Sequence, residues 1–417
     1  MNQLRELLRI RDYRFLWTAQ IASDFGDNLT FLSLMFLVQR LTGSTVALAT
    51  LMIVITIPSL VFSVVSGVYV DRFDRKKMMI ISDLLRAILV LGFLFVRTEE
   101  LLPLLYGVAF LQASIATLFN PARSALLPRI VGEERLLAAN SVSQTSRIVF
   151  NVLGTTAAGI LAATTSTFAV AFVVDSLTFF VSAALISRIR TSGQPEEAHE
   201  RKAWEDMKEG FRVMLASRPL RGVLIAAGVA MLGLGATNVL LVPFLVEDLM
   251  VSEAYFGLVE VSQVVAMVIA GSAVALLAAK IRPAALVGGG LLGVGVAIGA
   301  MAFPNRVWQV LIVVFFAGLA ITPTQAGVNT LTQTLIPDAM RGRVGGALSA
   351  LVSGATVFSM GFAGVAAAAM GVRNVFLLAG VISAAAGILA WFMLKDVSSS
   401  EAQGGTPSAQ AESVDSA

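Results

Sequence analysis

Apolar residues run along this chain in blocks of about twenty, separated by short polar or charged stretches. A bilayer core about 30 Å thick needs about 20 apolar residues per helical crossing, so each block predicts a membrane-spanning helix. Twelve can be placed. The first six cover about 15–38, 47–70, 78–96, 104–118, 136–163 and 167–187. The rest begin with about 220–246 and 254–279. A glycine-rich ninth follows, then 308–331, an eleventh after Arg343 and a twelfth opening at Arg373. The longest polar interruption, 188–221, carries eight bases and six acids and divides the chain in two. Within it Met207, Phe211 and Met214 share a helical face with Trp204, which predicts a short amphipathic helix lying at the membrane interface. The expected organisation is an N-terminal segment (1–14), a six-helix half (15–189), a linker (190–219), a second six-helix half (220–395) and a disordered tail (396–417).

Composition agrees with that pattern. With 57% hydrophobic and 14% charged residues and a mean hydropathy of +0.82, the sequence has too much apolar surface for a soluble protein of 417 residues. Its fold class is an all-α polytopic membrane protein. The net charge of +3 is no nucleic-acid signal, because what matters is where the bases lie. Arg40, Arg97, Arg306 and Arg373 fall on one side and Arg86 and Arg147 within spans; the other lysines and arginines all fall on the opposite side. The positive-inside rule then predicts a multi-pass protein of the cell (inner) membrane with both termini cytoplasmic. The first span is too long and too charged for a cleaved signal peptide. The chain has no cysteine, so disulfides and thiolate chemistry are excluded. Its one histidine, His199, lies in the linker, and neither a phosphate loop nor a paired metal-ligand spacing occurs. No enzyme, metal or bound cofactor is expected.

Polar residues inside the spans are the candidate chemistry, because charge in a membrane is costly and faces a bundle interior or water. In span 1, Gln20, Asp24, Asp27, Asn28 and Phe31 recur at three- and four-residue steps and share one face. Span 5 carries Asn140, Gln144, Arg147, Asn151 and Thr155 in the same way. Arg147 lies roughly as deep as Asp24 and Asp27 and predicts a partner in one of them. Asp83 and Arg86 of span 3 are expected to close on each other or on nearby loop charges. Asp175 lies in span 6, and Glu260 and Gln263 in span 8. A carboxylate that carries a proton needs desolvation and no permanent cation, which orders the proton-coupling candidates Asp27, Asp24, Glu260, Asp175. Gln112, Asn238, Gln325 and Asn329 complete the polar positions, and the four-residue glycine steps of span 9 predict close packing.

Between spans 2 and 3 the chain reads Gly67-Val-Tyr-Val-Asp71-Arg72-Phe-Asp-Arg75-Lys76-Lys77. This resembles the loop signature of the major facilitator superfamily, although many members have glycine where Asp74 stands. Asn120-Pro-Ala-Arg123-Ser-Ala-Leu-Leu-Pro128, followed by Ala139-Asn-Ser141, resembles the drug-exporter branch that includes macrolide efflux proteins and, more distantly, enterobactin exporters. In span 5, Gly154-Thr-Thr-Ala-Ala-Gly159 keeps the glycines of the superfamily's antiporter signature without its proline. An offset of 209 residues aligns the halves, setting Pro128 on Pro337, Asn120 on Asn329 and the Asp71 loop on the Lys280 loop.

The resemblance implies the major facilitator fold, with alternating access around a central cavity lined mainly by spans 1, 4, 7 and 10. It also implies that Asp71 reaches Arg123 and the start of span 11 as a conformational switch, with Arg72, Arg75 and Lys76 contacting headgroups and loops. The function expected is secondary active export of small amphipathic or lipophilic molecules, driven by a proton gradient, in a monomer whose other partner is the lipid bilayer. Alternatives are a lipid or metabolite transporter of the same fold, or a receptor or scaffold that transports nothing.

Overall fold

The structure is a computed structural model that describes residues 2–194, 203–277, 281–336 and 340–394; for 2–4, 63–71, 203–204, 206, 218–219 and 277 it describes the backbone alone. His199, Lys280, Pro337 and the tail 396–417 lie outside the described residues, as do the side chains of Asp71 and Trp204.

A short helix α1 (Asn2–Arg9) precedes the N-terminal half, which comprises α2 (Arg11–Thr42), α3 (Thr45–Arg72), α4 (Arg75–Val90), α5 (Leu102–Val131), α6 (Glu133–Thr164) and α7 (Ala169–Ser187). Helix α8 (Ala203–Ala216) belongs to the linker. Then come α9 (Arg218–Pro243), α10 (Phe256–Leu277), α11 (Pro283–Ala300), α12 (Val307–Leu335), α13 (Arg341–Met370) and α14 (Val372–Leu394). The described residues contain twelve helical segments long and apolar enough to cross a membrane. Large apolar side chains such as Ile88, Val268 and Val381 are exposed on them, as suits a surface covered by lipid. Shifted by 209 residues, α4, α5 and α6 fall on α11, α12 and α13 to within about five residues.

Several boundaries differ from expectation. Helix α5 does not stop before Asn120 but continues through Pro121 and Pro128 to Val131. Helices α2 (Arg11–Thr42) and α6 (Glu133–Thr164) also extend a few residues beyond their apolar blocks. Helix α4 starts where Asp74 accepts a hydrogen bond from the Lys77 N–H (3.1 Å) as its N-cap. The departure from glycine at this position therefore has a structural use. The apolar face of α8 has a protein neighbour. Met214 is buried with Leu220, Val344 and Ala347, so α13 covers part of that face.

Within the N-terminal half α2 packs on α6 and α7, α4 on α5 and α7, and α3 on α5; within the other half α9 packs on α13 and α14, α11 on α12 and α14, and α10 on α12. The halves meet through α3 with α13 and α6 with α10. At the end away from the linker, one apolar cluster runs through both halves, with Phe36 and Phe256 edge to face at 5.2 Å. Arg40 pairs there with Glu253 (2.9 Å), Gln39 donates to Glu247, and the Thr45 hydroxyl donates to the Gly364 carbonyl (2.8 Å). Towards the linker end, the remaining clusters of buried apolar residues each belong to one half, or to one half with α8.

Candidate functional site

The polar face of α2 meets α4, α5 and α7 around a single arginine. Arg86 of α4 forms an ion pair with Asp27, donates from Nε to Gln112 Oε1 of α5 (3.3 Å), and lies 4.1 Å over the Phe179 ring of α7. Gln112 returns a hydrogen bond to the Arg86 carbonyl (3.3 Å), which fixes both side chains. The expected closure of Asp83 on Arg86 is not what forms. Asp83 instead accepts from the Ser182 hydroxyl of α7 (2.6 Å), and its other oxygen is buried with no hydrogen-bond partner.

Asp175 is the third carboxylate of this cluster. Its side chain lies against Gly26, where an added Cβ would sit 3.2 Å from the Asp175 Cα and overlap the carboxylate. Only glycine lets α7 come this close to the turn that carries Asp27. The Thr178 hydroxyl donates to Asp175 Oδ1 (3.3 Å), and Ser176 ties α7 to the Ala87 carbonyl of α4 (2.8 Å). Asp83, Asp175 and Arg86 are 0%, 1% and 7% exposed, whereas the Asp27 side chain is 39% exposed, so of the three carboxylates gathered around this guanidinium two are buried and one is open.

This cluster forms one wall of a cavity of about 420 Å³. Asp27, Arg86 and Asp175 supply its charge, Asn28, Gln112 and Asn120 its amides, and Phe31, Leu34, Ile55 and Phe93 much of its apolar surface. It is built wholly by the N-terminal half, and its volume is that of a drug-sized ligand site.

Arg147 forms no ion pair with Asp24 or Asp27, although it lies near enough to Asp24 for its charge to act there. It is exposed on α6 and forms no hydrogen bond or ion pair among the described residues. The depth argument selected it, yet Arg86 lies about 16 Å along α4, equally deep and on a helix facing Asp27. The neighbouring Asn151 holds α6 to α2 by donating to Asn28 (2.6 Å), and Gly154 packs against the Phe25 carbonyl of α2. Gln144 is exposed. One turn towards the linker, Gln20 accepts from Arg123 of α5 (2.6 Å) and approaches Asp24 with its own amide (3.4 Å).

The polar residues of the C-terminal half are not gathered with these. Asn238, Gln325 and Asn329 are exposed, and none lines the cavity. Glu260 is half-buried on α10, and no hydrogen bond joins it to Gln263 or to any other described residue. In the loop before α4, Arg75 donates to the Ala125 carbonyl (3.3 Å) and Lys76 to the Ile189 carbonyl (2.6 Å), so both bind main chain; Arg72 is exposed. Gly67 is helical backbone within α3. Two further contacts had no recognisable signal in the sequence: Asp12 accepts from the N–H groups of Arg190 (3.0 Å) and Thr191 (2.8 Å), and Arg40 bonds across to Glu253.

A family model described as transmembrane secretion effector matches residues 6–415. The chain belongs to this family of major facilitator transporters. The chain is similar to macrolide efflux protein A of Streptococcus pyogenes, 24% identical over 372 residues that cover 87% of this chain and 91% of that protein. Enterobactin exporter EntS of Escherichia coli O127:H6 is 27% identical over 290 residues, 68% of this chain and 67% of that one. Among solved structures, a bacterial homologue of the iron transporter ferroportin in an inward-facing state superposes with a TM-score of 0.71 at 18% identity, covering 95% and 100% of the two chains. The major facilitator fold and the drug-exporter branch expected from the loop and α5 motifs are therefore correct, and this family member is a multi-pass membrane transporter rather than an enzyme.

Proposed function

We propose that this transporter exports small amphipathic molecules across the cell membrane in exchange for protons, by alternating access, as a monomer with both termini cytoplasmic. The carrying observation is the cavity of about 420 Å³, in which the carboxylates of Asp27 and Asp175 share the lining with apolar side chains. Apolar area binds a lipophilic body, and a desolvated carboxylate is the group that can take up and release a proton. Export by relatives named for macrolide efflux and enterobactin supports the direction. Under this reading the Arg40–Glu253 end is extracellular and closed, and the cavity communicates with the cytoplasmic end. Asp71 acts in the switch between states, so Asp71→Asn slows turnover and leaves binding intact.

The test is transport in proteoliposomes with a macrolide and a panel of other lipophilic compounds, with and without an imposed pH gradient. Gradient-stimulated transport of at least one compound supports the reading. Transport that ignores the gradient would remove proton antiport, and no transport of any compound would remove the export assignment.

A further inference from the structure

Three contacts fix how α6 lies against α2. The indole N–H of Trp17 donates to the Ser146 hydroxyl (2.9 Å), Asn151 donates to Asn28 (2.6 Å), and Gly154 lies against the Phe25 carbonyl. Arg147 stands between the first two. With α6 engaged on both sides of it, the helix cannot turn to bring Arg147 to another partner, and its guanidinium forms no hydrogen bond or ion pair among the described residues.

A second guanidinium lies close by. Arg123 of α5 spends one N–H on Gln20 (2.6 Å), while its Nε is buried with no hydrogen-bond partner. Both arginines lie near enough to Asp24 for their charges to act there, and Arg147 acts on Arg123 in turn. The Asp24 carboxylate is approached only by the Gln20 amide (3.4 Å), and its neighbour Asp27 is taken by Arg86. The described side chains here thus set two cations against one carboxylate, and neither cation is bonded to it.

An arginine within a span is unfavourable until something neutralises it. The fork of guanidinium N–H groups matches a carboxylate or phosphate, and such charge-assisted bonds are the strong ones. Arg147 is exposed, so the group that neutralises it can arrive and leave. Arg86 differs in this respect, being buried and committed to Asp27 and Gln112.

Position relative to the cavity gives the ligand class. Asn28 and Asn120 belong to the cavity lining, and Asn151 is bonded to Asn28. Arg147 lies four residues from Asn151 towards the linker end of α6, and Arg123 three residues from Asn120 towards the linker end of α5, roughly 5–6 Å along each helix. Both therefore stand beyond the same end of the cavity, about one turn from its amides. We propose that Arg147, assisted by Arg123, binds the anionic head of an amphipathic substrate at the linker-side mouth of the cavity, while the apolar body of that substrate rests against Phe31, Leu34 and Phe93. This deepens the export reading by naming the substrate class, and it rests on that reading only for the direction of movement.

The experiment uses the full chain in phosphatidylcholine nanodiscs at neutral pH, with pyrenebutyrate as the anion and pyrenebutyramide as a neutral compound of the same frame. Binding is followed by pyrene fluorescence anisotropy, with the signal of empty nanodiscs subtracted. The carboxylate should bind at least about tenfold more tightly than the amide, which is the worth of one charge-assisted hydrogen bond. Arg147→Met should bring the carboxylate down to the affinity of the amide and leave the amide unchanged, and Arg147→Lys should keep a smaller preference for the carboxylate. Equal affinities in the unsubstituted protein, or a preference that survives Arg147→Met, would overturn the proposal. Native mass spectrometry after reconstitution with phosphatidylglycerol is the second arm. A lipid held by the unsubstituted protein, displaced by pyrenebutyrate and absent from Arg147→Met would make a headgroup the anion and overturn the assignment to substrate. If Arg147→Met fails to fold, Arg147→Lys and the two compounds on the unsubstituted protein still decide. Carboxylate-selective binding without transport of any compound in proteoliposomes would sink the export reading and leave this one standing. Gradient-driven transport with no preference between the two compounds would do the reverse.

Discussion

Asp27 of α2 is held by Arg86 of α4, which also stacks on Phe179 and exchanges two hydrogen bonds with Gln112. One side chain thus joins four helices of the N-terminal half, and its removal would leave three carboxylates without a cation. Arg86→Met should lower stability by about 3–5 kcal/mol, read as the thermal unfolding midpoint of the purified protein. Adding Asp27→Asn should restore part of the loss. Identical midpoints for the single and double variants would mean that the pair contributes nothing. Arg147→Met, which removes no hydrogen bond or ion pair among the described residues, should change stability by no more than about 0.5 kcal/mol.

The contact of α7 with α2 depends on the missing side chain at Gly26. Gly26→Val should cost about 1–3 kcal/mol by overpacking, and it should disturb binding because Asp175 is displaced with α7. Gly107→Ala on α5, where no atom lies within 4 Å of the added carbon, is the matched control. The idea fails if both variants unfold at the same temperature.

At the closed end, Arg40 and Glu253 are partly exposed, and such a pair is worth about 0.2–1 kcal/mol. Glu253→Gln should therefore raise the open population by roughly 1.4- to five-fold. A cysteine introduced by Thr156→Cys, on α6 beneath Gly257, would report this as faster reaction with a soluble maleimide. An unchanged labelling rate would show that the apolar contacts alone hold this end shut.

Orientation can be read with the same chemistry, since the chain has no native cysteine. Ser166→Cys, between α6 and α7, should react with an impermeant maleimide in intact cells. Ser192→Cys, after α7, should react only once the cells are opened. Position 192 suits the purpose better than Gly193, whose added carbon would sit 2.6 Å from the Lys76 amide nitrogen. The reverse pattern would invert the topology.

The helices and their pairing into halves could be read from the sequence because lipid imposes one rule on every span: about twenty apolar residues with the backbone bonded internally. Candidate residues on a single helix were equally visible, since Gln20, Asp24, Asp27 and Asn28 share a face by geometry alone. Partners across helices were not. Arg86 and Arg147 are both bases at similar depth, and only the rotation of α4 and α6 about their axes decides which of them meets Asp27. Asp83 was misread for the same reason, because an i,i+3 spacing permits a bond to Arg86 but cannot exclude a serine on another helix. The covering of α8 by α13 was hidden too, since an apolar face looks the same whether lipid or protein will cover it.

The apolar cluster that crosses between the halves at the Phe36–Phe256 end has no counterpart at the other end among the described residues. Parting the halves there would wet surface that is now dry, and such a step carries a positive heat capacity. Its free-energy cost then varies with temperature along a curve, and the penalty for hydrating apolar groups lessens on cooling. If that step limits the cycle, an Arrhenius plot of turnover should bend rather than run straight. Replacing Phe36 with leucine should then reduce the curvature in proportion to the aromatic area removed.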